Sequence, residues 1–128
     1  MRTACDPGAA AGLAAEAVRA LNHLTLAPPS TGTPGWEDVT DLYRVLTEVR
    51  VLAERLPQAL GQLARHLDAT IGSGYRSDSD TDESSEMLVV TTMAALEGAC
   101  VALRGAGYDL GLAQGALAHL APRGAAQE

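Results

Sequence analysis

Phenylalanine and lysine are absent from this 128-residue chain. Aromatic residues make up only 3% of it, although 47% is hydrophobic. A core without aromatics must be built from Ala, Leu and Val, a mixture that favours helices over strands. Cysteine is scarce too. Cys5 and Cys100 are the only two, too few for a disulfide framework. Cys100 falls on a helix face and is expected as a small core residue, Cys5 as a free thiol in a tail. Positive charge is short as well: nine arginines stand against sixteen acids, a net charge of -7. That balance suits neither a nucleic-acid backbone nor an anionic lipid surface, so neither partner is expected.

Long apolar runs are missing at the N-terminus, where Met1 to Pro7 has one positive charge and no stretch of a secretory signal. The most apolar window, Met87 to Leu103, is 17 residues long and carries Glu97 and two threonines. A membrane span needs about 20 apolar residues and avoids a central carboxylate. A soluble, cytoplasmic protein is the expectation.

What is present is helical periodicity. Asp6-Pro7 is an N-cap acid followed by Pro at the first helical position. Leu13, Ala17, Leu21 and Leu24 then recur at helical spacing up to the stop at Pro28-Pro29. Residues 27–35, rich in Pro, Gly, Ser and Thr, read as a loop. Thr33-Pro34 is expected to open a second helix, with Glu37 and Asp38 in its first turn. From Val39 to Leu67 an apolar seam alternates three and four apart through Leu42, Leu46, Val49, Ala53, Leu56, Leu60 and Leu63. Val45, Leu52 and Ala59 widen that stripe, which fits a bundle better than a two-stranded coil. Pro57 should kink this helix without ending it, because the register continues beyond it.

An acidic, Ser-rich stretch at 71–85 forms the next loop. A third helix begins near Ser84 or Ser85 and runs to Pro122, with Val89, Met93, Leu96, Cys100, Leu103, Gly107, Leu110, Gln114 and Leu117 along one face. The second and third helices match in length at roughly 50 Å, as an antiparallel hairpin requires. The fold class is therefore all-α: a long hairpin kinked near Pro57 with a shorter N-terminal helix, one three-helix-bundle domain over 1–128 with tails at 1–6 and 122–128. A break at Gly105-Ala106-Gly107 would give four helices instead.

Chemistry-bearing motifs are few. Asp78, Asp80 and Asp82 open like a calcium loop, but the sixth and twelfth positions hold Glu83 and Val89 where Gly and Glu are needed, so calcium is not expected. His23, His66 and His119 each fall late in a helix at no ligand spacing, so no metal site is expected. No nucleophile elbow, Cys-x-x-Cys or phosphate loop is present. No catalytic residue, cofactor or enzymatic activity is expected. Two features stand apart. Gly107, Gly111 and Gly115 recur every four residues, a spacing that admits either close packing inside the bundle or a self-association face. Trp36, with Tyr43 two turns on, either staples the Pro-rich loop or anchors a partner.

The stretch Arg19-Ala20-Leu21-Asn22-His23-Leu24-Thr25, then Pro34-Gly35-Trp36-Glu37, then Leu56-Pro57-Gln58-Ala59-Leu60, resembles small helical proteins of unknown function from high-GC bacteria. The resemblance covers about half the chain and implies an origin in integrative or conjugative elements, with no activity attached. The expected function is a non-enzymatic protein–protein interaction or assembly module, self-associating through helix faces as a homodimer. Its candidate interaction residues are Trp36, Tyr43, Gly107, Gly111 and Gly115. The alternative is a regulatory binder of a small apolar ligand in the bundle core.

Overall fold

The computed structural model of the chain describes residues 6–69 and 84–120, and places three helices among them: α1 (Pro7–Leu24), α2 (Val39–Ala69) and α3 (Ser85–Leu117). Two compact units divide the chain. One is centred on α1 and the loop that leads into α2; the other holds α2 from Tyr43 onward together with α3.

α1 starts as its sequence demands. The Asp6 carboxylate accepts from the backbone N–H groups of Gly8 and Ala9, and Pro7 supplies the pre-set φ of the first turn. The helix closes at Thr25, whose hydroxyl donates to the carbonyl of Leu21. None of its residues is fully buried.

α2 begins later than Thr33-Pro34. Gly32 and Gly35 have φ of 95° and 80°, left-handed conformations that glycine adopts readily and a right-handed helix does not contain. Residues 31–35 are therefore a turn, and Asp38 is the cap. Its Oδ1 accepts from the N–H groups of Thr40 and Asp41 at 3.0 and 3.4 Å. From Val39 the helix runs unbroken through Pro57 to Ala69.

α3 is capped by Ser84, whose Oγ accepts from the Met87 N–H at 3.1 Å. It continues without interruption through Gly105-Ala106-Gly107, so the four-helix alternative does not hold. About 1 kcal/mol per glycine is too little to break a helix that tertiary packing supports on both sides of the triplet.

α2 and α3 pack together antiparallel. Residue numbers fall on one helix as they rise on the other: Thr47 and Arg50 meet Gln114, and Pro57 meets Cys100. The α3 face is as the periodicity describes it, with Val89, Cys100 and Gly107 buried and Met93, Leu96, Leu103 and Leu110 half-buried. The α2 face is not. Ala53 and Pro57 are buried, and Leu60, Ala64 and Leu67 follow them inward, while Leu56 and Leu63 lie exposed. The inward line Ala53, Pro57, Leu60, Ala64 and Leu67 keeps the four-three alternation and runs one residue on from Leu56 and Leu63, so α3 lies to that side of the seam.

Pro57 is buried in the contact between α2 and α3. It has no N–H for the α-helical ladder, and its own carbonyl accepts from the Cys100 thiol at 3.5 Å. Cys100 is only 4% exposed, so the thiol is a small core group, as its position on the seam implies.

Candidate functional site

The hairpin is closed by a polar clasp at the C-terminal end of α3. Gln114 Nε2 donates to Thr47 Oγ1 at 2.7 Å, and Arg50 Nη1 donates to Gln114 Oε1 at 2.7 Å. Arg50 Nε in turn donates to Glu54 Oε2 at 2.9 Å, and the Thr47 hydroxyl donates to the carbonyl of Tyr43. Both ends of the Gln114 amide are thus used across the helix–helix interface. An amide at this seam position admits one register, because a shift of a single turn leaves its donor and acceptor unmatched.

The clasp explains two glycines of the small-residue stripe. A Cβ at Gly111 would lie 3.2 Å from Arg50 Cζ, and one at Gly107 would lie 3.5 Å from Glu54 Cγ. Gly111 is therefore the floor on which the Arg50 guanidinium rests, and Gly107 lies beneath the Glu54 stem. Both are occupied by contacts within the chain. Gly115 is exposed, and a Cβ there would meet nothing within 4 Å.

Trp36 lies in the other unit, half-buried, and holds the loop before α2. Its Nε1 donates to the carbonyl of Ala27 at 2.7 Å, its carbonyl accepts from the Ser30 N–H, and its own N–H donates to Thr33. A single side chain thus ties both ends of a proline-rich loop whose own backbone makes few bonds. Tyr43 is half-buried at the start of the hairpin. The structure brings Gly107 and Gly111 together under α2.

A shallow cleft of about 210 Å³ opens between α2 and α3, lined by Arg50, Glu54, Pro57, Leu103, Arg104, Gly107 and Tyr108. Its walls carry two guanidinium groups and a carboxylate. Among the described residues no group of three His, Cys, Asp or Glu side chains is placed to hold a metal ion. Asp78, Asp80 and Asp82 lie outside the described residues.

The feature that periodicity did not single out is the face of α3 turned away from α2. Met87, Val90, Val101, Tyr108 and Leu112 each expose half or more of their surface, Tyr108 as much as 70%. Their spacings of 3, 11, 7 and 4 are sums of threes and fours, which puts them in one stripe along the helix. Glu97 lies on that stripe and Arg104 on its flank, with Glu86 on the same flank in the first turn, and neither Glu97 nor Arg104 forms an ion pair with another described residue. The signal for it was the composition of α3, which is apolar on more than one face, whereas α2 alternates apolar and charged residues.

Comparison with protein-family models, with curated proteins and with solved structures finds no match to this chain. By length and composition α3 is apolar enough to cross a membrane, a longer segment than the 17-residue window that sequence reading isolates. Its buried face, however, packs on a helix that carries Arg44, Glu48, Arg50, Glu54 and Arg55, charges that hydrocarbon would have to accommodate.

Proposed function

We propose that the chain is a non-enzymatic protein–protein interaction and assembly module that self-associates through a helix face. The observation that supports this reading is the outward stripe of α3, where Val90, Val101, Tyr108 and Leu112 are all more than half exposed on a clasped hairpin. Contiguous exposed apolar surface of this kind marks an interaction site. Tyr108 at its heart is the residue type that anchors interfaces, with a large apolar ring and a polar tip. The hairpin beneath it gives the stripe a fixed shape before any partner arrives, which lowers the ordering cost of association.

Binding of a small apolar ligand draws less support. The cleft of about 210 Å³ is smaller than the roughly 300 Å³ at which ligand pockets begin. Arg50, Glu54 and Arg104 line it, and charged walls disfavour an apolar guest.

Light scattering behind size-exclusion chromatography, on the full chain from about 1 to 100 μM, tests the reading. Self-association gives a mass that is a multiple of the 13.2 kDa chain. A mass of one chain throughout that range contradicts it.

A further inference from the structure

We infer that the occupant of the exposed α3 stripe is the same stripe of a second copy, running antiparallel about a two-fold axis at Val101. This rests on the self-association proposed above and specifies its face, its partner and its register.

The first argument is spacing. Along the outward face the positions are 87, 90, 94, 97, 101, 105, 108, 112 and 115. The intervals read three, four, three, four from Met87 to Val101, and the same in reverse from Gly115 back to Val101. A two-fold axis through Val101 therefore brings every position of the stripe level with another position of the stripe. At 1.5 Å per residue the paired length is about 42 Å, that of four coiled-coil heptads. A closed two-fold pairing of one patch with itself is the commonest form of a homodimer.

The second argument is size. In this register Tyr108 falls opposite Ala94 of the second copy, Leu112 opposite Val90, and Met87 opposite Gly115. Each of the largest protrusions thus meets a small or medium residue. A Cβ added at Gly98, Gly105 or Gly115 would meet nothing within 4 Å. Those three glycines leave open hollows along the path of the second helix, which allow close approach.

The third argument is charge, and it decides the direction. Glu97 and Arg104 lie seven residues apart on the same flank of the stripe, four residues before Val101 and three after it. An antiparallel two-fold pairing sets Glu97 of each copy beside Arg104 of the other, twice. A parallel pairing would set Glu97 level with Glu97 and Tyr108 level with Tyr108, leaving like charges level and two protrusions opposed. Both charges are exposed and have no ion-pair partner among the described residues, so each is available. Two hairpins joined this way form a four-helix assembly with α3 at its centre, in which a helix apolar on two faces has a neighbour on each.

The test uses light scattering on the full chain and three variants. The wild type is expected at twice the chain mass. Val101→Arg places two guanidinium groups on the axis and should yield single chains. Its helical circular dichroism and unfolding transition should match those of dilute wild type, because Val101 is exposed in the hairpin. Glu97→Arg and Arg104→Glu should each weaken association by about tenfold, since each puts like charges at both contacts. Mixed in equal amounts, the two charge variants should form a heterodimer, because each then supplies what the other lacks. A dimer that persists in Val101→Arg, or a mixture no tighter than its components, overturns the inference and leaves self-association standing. A wild type that is a single chain at every concentration overturns both. Co-sedimentation of the wild type with neutral phosphatidylcholine vesicles, lost in Val101→Arg, would assign the face to lipid and overturn the inference as well.

Discussion

Gln114 and Thr47 are 67 residues apart in sequence, and the 2.7 Å hydrogen bond between the Gln114 amide and the Thr47 hydroxyl closes the hairpin. The Gln114 oxygen simultaneously accepts from Arg50, so one side chain engages two successive turns of α2. The pair sits on a seam that is otherwise apolar. That is where a polar group costs stability if it is mispaired and fixes the register if it is matched.

Replacing Gln114 by Leu should lower the unfolding free energy by about 1–3 kcal/mol, because Thr47 and Arg50 lose their partner in a half-buried contact. Adding Thr47→Val to that variant should restore part of the loss, since an apolar pair of similar shape leaves fewer orphaned groups. Urea titration of the two single variants and the double variant measures the coupling. A double variant whose loss equals the sum of the two single losses contradicts a direct bond.

Gly111→Leu separates packing within the hairpin from contact between copies. If the glycine stripe were a self-association face, this change would spare the folded monomer and remove a dimer. With Arg50 Cζ 3.2 Å from the position of a Gly111 Cβ, the expected result is different. The branched side chain must displace the guanidinium and should destabilise the hairpin itself by about 1–3 kcal/mol. Thermal unfolding at low concentration reads that loss, and an unchanged midpoint contradicts the assignment of Gly111 to the floor of the clasp. In contrast, Gly12→Ala in α1 meets open space and should stabilise that helix by about 0.5–1 kcal/mol.

Much of this architecture was legible in the sequence, and the part that was not has a definite cause. The caps at Asp6 and Ser84 and the α3 seam from Val89 to Leu117 follow from local side-chain chemistry and a period of 3.6. The start of α2 is not legible in the sequence, because a Pro after Thr imitates a helix start. The positive φ of Gly35 two residues later settles the turn, and composition does not reveal a dihedral angle. A seven-residue repeat does not say on which side of the seam the neighbouring helix lies: Leu56 and Leu63 lie exposed, and the inward line passes through Pro57 and Ala64, one residue on with the same spacing. The glycine stripe was visible, but which helix lies against it depends on the long side chain of Arg50 reaching across. The outward stripe of α3 was hidden for a different reason: every face of an Ala-rich helix reads as core until one of them is seen to be uncovered.

Trp36 is the sole tryptophan, and its fluorescence reports on the loop before α2. Trp36→Phe removes the bond to the Ala27 carbonyl and should cost about 0.5–1.5 kcal/mol in the loop. Proteolysis within residues 25–36 should then accelerate, while the cleavage rate within α2 and α3 stays the same. Unchanged loop cleavage contradicts the role of the indole as the tie.

Cys100 offers a probe of hairpin opening. In a Cys5→Ser background its thiol should react with a disulfide reagent on the order of 100-fold more slowly in buffer than in denaturing urea. Burial against Pro57 is the reason, since the reagent must wait for the helices to part. Equal rates in the two conditions contradict a closed hairpin.

The most direct measurement of the antiparallel pairing is mild oxidation of the Val101→Cys, Cys5→Ser chain, followed by non-reducing electrophoresis. A residue on the two-fold axis faces its own copy, so a covalent dimer with unchanged helical content is expected. Val90→Cys alone should stay a single chain, yet cross-link when mixed with Leu112→Cys. The contradicting result is Val90→Cys joining to itself while Val101→Cys does not, or no cross-link at any of these positions.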